Sequence, residues 1–137
     1  PSLPTVEGDQ DQLIQSVLNI ARNACEALLN TNNPKISIKT RVTRQFTIAN
    51  KRHKSVLQLD LTNNGPSIEQ AFIEQIFFPM ISGRASGSGL GLSITQNIIS
   101  RHEGTVQVTS KTGATTFSIF LPFSPSVNAI QVTGSTN

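Results

Sequence analysis

The sequence predicts an α/β domain in two layers, with helices packed on one face of a mixed, largely antiparallel sheet. Three observations predict it. An amphipathic helical stripe runs from Asp11 to Asn30, strand-like alternation follows it, and a second helical stripe over Leu90 to His102 leads into two short strands. Elements of this kind bury their apolar sides only against one another. At 137 residues the chain can bury one core but is too short for two.

In the first element Leu13, Ile14, Val17, Leu18, Ala21, Ala24, Cys25 and Leu28 recur at spacings of one, three and four, the stripe of an amphipathic helix. Asp9 or Asp11 can cap its start, and Asn30-Thr31-Asn32-Asn33-Pro34 ends it with turn formers. Ile36, Ile38, Thr40 and Val42 then alternate with Ser37, Lys39 and Arg41, the period of a half-buried strand. Arg44 to Ser55 is polar and reads as a hairpin tip or loop. Val56 to Leu61 is a second strand, closed by the turn signal Asn63-Asn64-Gly65-Pro66. Ile68 to Phe78 is a short helix, and Pro79 to Gly89, rich in Gly and Ser, is expected to be a mobile loop.

The second helix spans Leu90 to His102, with Gly104 just past its end. Thr105 to Ser110 and Thr115 to Leu121 are strands joined by Lys111-Thr112-Gly113. The expected domain is 1–123, and 124–137 is expected to be a disordered tail.

Composition narrows the function. Hydrophobic residues make up 36% and charged residues 14%, as in an ordinary soluble protein. No apolar run approaches the roughly 20 residues that span a bilayer, and Pro1-Ser2-Leu3-Pro4 does not read as a signal peptide. The lone Cys25 permits no intrachain disulfide and fits a reducing compartment, so a cytoplasmic protein without membrane association is expected. The net charge of +3 comes mostly from Lys35, Lys39, Arg41, Arg44, Lys51, Arg52 and Lys54. These alternate with apolar residues and lack a set of stacking aromatics, which favours a solvated or protein-facing strand face over nucleic-acid binding.

Three clusters carry chemistry. Asn19 and Asn23 lie four apart on one helix face, and a carboxamide oxygen is a hard ligand suited to Mg²⁺ that phosphates also hold. Asn63-Asn64-Gly65-Pro66-Ser67-Ile68 follows a strand, where a tight turn can bring backbone close to a flat ligand and a side chain can read a base. Gly87-Ser88-Gly89-Leu90-Gly91-Leu92 runs into a helix whose free N–H groups and dipole favour phosphate. Each alone is open to a plainer reading, as solvated asparagines, a β-turn or a flexible loop. The third cluster lacks both the strand that precedes a dinucleotide fingerprint and the Walker lysine.

In this order and spacing the clusters resemble the N, G1 and G2 boxes of the histidine kinase/gyrase/chaperone ATPase superfamily, and Ile76-Phe77-Phe78-Pro79-Met80 resembles the histidine kinase F box. Phe78 to Arg84, Arg44-Gln45-Phe46-Thr47 and Phe117 to Pro122 are similar to the nitrogen-regulation sensor kinases, the NtrB family. The resemblance spans residues 1–123 and implies the two-layer ATPase (Bergerat) fold.

It implies that Asn23 is the principal Mg²⁺ ligand, that Asn19 contacts metal-bound water or phosphate, and that Arg22 approaches the nucleotide. Asn63 takes the adenine-reading position, flanked by Gly65, Ser67 and Ile68. Ser82, Gly83, Arg84, Gly87 and Ser88 form a lid, with Arg84 toward the γ-phosphate, while Gly89 and Gly91 place backbone at the phosphates and Leu90 and Leu92 anchor the helix. Asn19 stands where ATP-hydrolysing relatives carry a glutamate base, and Asn cannot take a proton from water, so phosphoryl transfer is implied rather than hydrolysis.

Neither His53 nor His102 is expected to be the phosphoacceptor, which is implied to lie on a separate dimerisation hairpin N-terminal to this domain. The implied partners are that hairpin, a response regulator of the nitrogen-regulation type and a signal-transducing regulatory protein. The chain alone is expected to be a monomer. Two positions depart from the family: Asn63 replaces an aspartate, and Ser67 replaces a glycine free to adopt positive φ. They leave an alternative, a degenerate domain that binds nucleotide or partners without transferring phosphate.

Overall fold

The computed structural model describes residues 8–77 and 91–123. The expected lid, the centre of the F box and the 124–137 tail lie outside them. Helix α1 spans Gln10–Ala27. Asp9 caps it, its side chain accepting from Gln12 N at 3.1 Å. Strands β1 (Ile36–Ile48) and β2 (Lys51–Asn63) follow, then a single helical turn α2 (Gln70–Ile73). Helix α3 (Gly91–Arg101) leads into β3 (Thr105–Lys111) and β4 (Ala114–Pro122). The four strands run in the order β1-β2-β4-β3, and every described pairing is antiparallel.

The stretch expected to be a loop, Arg44 to Ser55, is mostly strand. β1 and β2 stay in register from Ile36 opposite Asn63 to Ile48 opposite Lys51. Only Ala49 and Asn50 turn the chain, at φ of 50° and 69°, a pair of left-handed residues that suits the twist of a two-residue hairpin. Polarity misled the reading because both faces of this end meet solvent over much of their length, while the backbone ladder holds regardless of side chain. Gln45, at φ 57°, interrupts the alternation. Phe46 and Ile48 consequently join Val56 and Phe120 on the outer face, where Phe46 stacks on Phe120 with ring centroids 4.3 Å apart.

The inner face carries Leu61, Phe117, Ile119, Leu121 and Val106, which form one core with Ile20 and Ala24 of α1 and Leu92 and Ile99 of α3. α1 lies over β2 and α3 over β3. β1 falls outside this two-helix layer, so its apolar stripe is more exposed than the alternation suggests, Ile38 by 58%. The outer face is polar: Ser118 Oγ donates to Asp60 Oδ1 at 2.6 Å, Gln58 Nε2 donates to the same oxygen at 2.9 Å, and Arg41 lies 3.7 Å from Asp60 Oδ2. The sheet thus presents one apolar face to the helices, while its outer face combines this polar network with the small apolar cluster around Phe46 and Phe120. Among the described residues no helix is long and apolar enough to cross a membrane.

Candidate functional site

Where β2 and β4 meet the two long helices, a cavity of about 430 Å³ opens beneath α1 and the α2 turn. Its polar buried side is set by the sheet register. Asn63 and Thr115 are Cα partners on neighbouring strands, and each is 2% exposed. Asn63 Oδ1 accepts from Gly65 N at 2.9 Å, closing the chain into a turn directly after the strand. Gly65 is needed there for close approach. A Cβ on it would sit 2.9 Å from the carbonyl oxygen of Ala27, the last residue of α1. Asn64 holds the other side of this turn, accepting from Lys35 N at 2.8 Å and donating to Asn33 O at 2.9 Å.

Thr115 Oγ1 pairs with Ser110 Oγ at 2.7 Å, and that oxygen accepts from Ile68 N at 2.8 Å. The segment leaving the turn is thereby pinned to β3. The apolar walls come from Phe117, Leu92, Ile76, Ile68 and Phe72, with Ala27 and Pro66 beside them. Exposed Ser67 and Glu69 stand at the open side, and Asn23 of α1 joins the lining from above. The result is a slot with flat, apolar walls, a buried polar end and a carboxamide at its rim, the usual form of a small-molecule site.

The structure brings much of the expected set together. Asn23, Asn63, Ser67, Ile68 and Leu92 line the cavity, and Gly65 shapes its turn. Asn19 does not line it. Its Nδ2 donates to Gly91 O at 3.2 Å, joining α1 to the start of α3. Arg22 is exposed and outside the lining. Ser67 is not among the described residues with positive φ, so the serine sits at that position without the strain its type suggests. Ser82, Gly83, Arg84, Gly87, Ser88, Gly89 and Leu90 lie outside the described residues.

Sequence reading missed Ala27, Glu69, Phe72, Thr115 and Phe117. A signal existed for Thr115. Strand alternation places it on the inner face with Phe117 and Ile119, where a polar residue among apolar neighbours marks a site. Among the described residues no cluster of three or more His, Cys, Asp or Glu could hold a metal. Among the cavity-lining side chains, the Asn23 carboxamide oxygen is of the hard type that could share a Mg²⁺ with phosphate oxygens.

His102 lies elsewhere. Its Nε2 accepts from Asp9 N at 3.0 Å and its Nδ1 faces Ile98 O at 2.8 Å. Asp9 can only donate there, so Nδ1 carries the proton and both ring nitrogens are engaged.

Residues 8–125 match the family described as histidine kinase-, DNA gyrase B- and HSP90-like ATPase. The chain is 46% identical over 122 residues to a sensory histidine kinase/phosphatase NtrB of Vibrio alginolyticus, a match that covers 89% of this chain and 35% of that protein. Identity to the NtrB of Escherichia coli O157:H7 is 43% over 122 residues, with the same coverage of 89% and 35%. The chain therefore spans about a third of the length of these curated relatives. Its fold is similar to the catalytic domain of histidine kinase ThkA in a nucleotide-free form, with a TM-score of 0.69 and 29% identity, covering 85% of this chain and 70% of that one. The mycobacterial sensor histidine kinase MprB shares the fold at a TM-score of 0.69 and 24% identity, covering 88% and 78%.

Proposed function

The chain belongs to the histidine kinase-, DNA gyrase B- and HSP90-like ATPase family, and from that membership we propose that it is the nucleotide-binding catalytic domain of a cytoplasmic, nitrogen-responsive sensor histidine kinase. One observation carries the reading: Asn23 from α1, the Asn63–Ile68 turn and Leu92 from α3 line a single cavity, though far apart in sequence. That cavity has the apolar walls a purine ring needs and a carboxamide at its rim.

In this reading the base enters between Ile68, Ile76, Leu92 and Phe117, with Asn63 and Thr115 at its edge. Asn23 holds Mg²⁺, which when bound neutralises phosphate charge. Arg84, Ser82 and the glycines at 87, 89 and 91 attend the phosphates of ATP. No group at Asn19 can act as a base toward water, since a carboxamide takes no proton at neutral pH, and its Nδ2 already donates to Gly91 O. The domain therefore positions ATP for transfer to a presented histidine. The acceptor belongs to the kinase's own dimerisation hairpin, and the phosphoryl group passes on to a response regulator under the control of a signal-transducing protein. Asn63, one of the two departures from the family's turn, weakens ATP affinity without abolishing transfer, while Ser67, the other, adds no positive-φ strain to the turn.

The test is calorimetric titration with ATP, with and without Mg²⁺, followed by labelling of a supplied hairpin from a similar NtrB kinase with radioactive ATP. Mg²⁺-dependent binding and an acid-labile phosphate on the hairpin are expected. Binding without transfer would point to the degenerate module, and no binding would overturn the reading.

A further inference from the structure

The hydrogen bond between Gly65 N and Asn63 Oδ1 fixes which way the Asn63 carboxamide faces. A backbone N–H can only donate, so the side-chain atom 2.9 Å from it is the oxygen. The amide nitrogen then points to the other side of the planar group. Asn63 is 2% exposed and lines the cavity. Its Nδ2 bonds to no described residue, yet no sealed-off side-chain nitrogen or oxygen among the described residues lacks a partner. Nδ2 therefore keeps some exposed surface, on the side where Asn63 lines the cavity. Turning the carboxamide over would set Nδ2 against Gly65 N, donor against donor, so the turn holds the orientation.

We propose that Asn63 makes the buried end of the cavity a hydrogen-bond donor, and that the domain consequently binds 6-keto purine nucleotides more tightly than 6-amino ones. The proposal rests on the nucleotide reading given above. Inosine and guanosine triphosphates offer a 6-keto oxygen to Nδ2, whereas the 6-amino group of ATP meets it as a second donor and leaves one of the two unpaired. The register partner Thr115 adapts to either base. Its hydroxyl shares a hydrogen bond with Ser110 and can donate to a bare ring nitrogen or accept from a protonated one.

The test is calorimetric titration of the whole chain with Mg²⁺ and, separately, ATP, ITP and GTP, repeated with Asn63→Asp. ITP differs from ATP only at the six position and its neighbouring ring nitrogen, so the ITP/ATP ratio isolates the contact. In the natural chain ITP is expected to bind roughly fivefold or more tighter than ATP, the usual cost of a buried donor left unpaired. In Asn63→Asp, where only acceptors remain, ATP is expected to overtake ITP. ATP binding the natural chain as tightly as ITP overturns the proposal and leaves the nucleotide reading standing. Failure of all three nucleotides to bind overturns both. Should Asn63→Asp fail to fold, the ratio measured on the natural chain still decides.

Discussion

Asn19 of α1 and Gly91 at the first turn of α3 are joined by a single hydrogen bond, Nδ2 to carbonyl oxygen, 3.2 Å long. The two residues stand 72 positions apart in sequence. Asn19 Cβ lies where a Cβ added at Gly91 would make ordinary contact, at 3.8 Å. The bond therefore ties the asparagine-bearing helix to the helix that begins beside the glycine-rich segment, and it sets one side of the candidate site relative to the other.

That tie uses the donor of Asn19, so its loss is felt in stability. Asn19→Ala is expected to cost about 1 kcal/mol, the typical worth of one such bond. Asn19→Asp should cost more, about 1–3 kcal/mol, because a carboxylate would face the Gly91 carbonyl, oxygen against oxygen. Urea denaturation of both variants checks the order. Should Asp prove no worse than Ala, the donated hydrogen is not what matters at this position.

Asn23 stands at the cavity rim, one helical turn beyond Asn19. Asn23→Ala is expected to remove the Mg²⁺-dependent part of nucleotide affinity while the chain still folds. Titration with and without Mg²⁺ decides the matter, and an unchanged metal dependence takes Asn23 out of the site.

Gly65→Ala places a methyl group 2.9 Å from Ala27 O and 3.0 Å from Asn63 Oδ1. Ala27 O is backbone, and Asn63 Oδ1 is held by its bond from Gly65 N, so the turn must shift. A stability loss of about 1–3 kcal/mol is expected, the usual range for overpacking, together with weaker nucleotide binding as the Asn63–Gly65 bond is disturbed. Wild-type melting and affinity in this variant would show that the turn is looser than its packing implies.

His102 fastens the entry of α1 to the end of α3 through both of its ring nitrogens. His102→Phe keeps the ring but loses both bonds, and should cost about 1–3 kcal/mol at two ordinary hydrogen bonds. With no ring nitrogen free, His102 should also acquire no phosphate when the chain is incubated with labelled ATP. Nitrogen NMR tests the arrangement directly: Nδ1 should carry the proton and Nε2 none.

Much of this architecture was legible in the chain because it rests on local signals. The cap at Asp9, the stripe through Ile20 and Ala24, and the alternation through Phe117 and Ile119 each report a face that must be buried. What escaped depends on partners that only folding supplies. Polar Arg44 to Ser55 pairs as strand because a neighbour completes its ladder. Gly104 looked like the helix terminator, yet Glu103 takes the left-handed conformation, at φ 65°, while Gly104 gives way to the close-lying Phe120 carbonyl. Of the asparagines singled out by residue type and spacing, Asn23 and Asn63 line the cavity and Asn19 does not. Thr115 and Phe117 escape such signals, since they read as ordinary strand residues until the register sets Thr115 opposite Asn63.

That register has a kinetic consequence. β1–β2 and β3–β4 are hairpins with short turns, which close in about 1–10 μs, whereas the β2–β4 seam needs the chain ends of both to find each other and pays the larger loop entropy. The seam should zip last. Thr62 and Thr116, bonded across it at 2.8 Å, offer the probe: Thr116→Ala should speed unfolding and leave the folding rate nearly unchanged. Because Asn63 and Thr115 straddle the same seam, a nucleotide bound as proposed would act as a late clasp, lengthening the lifetime of the folded domain without hastening its birth.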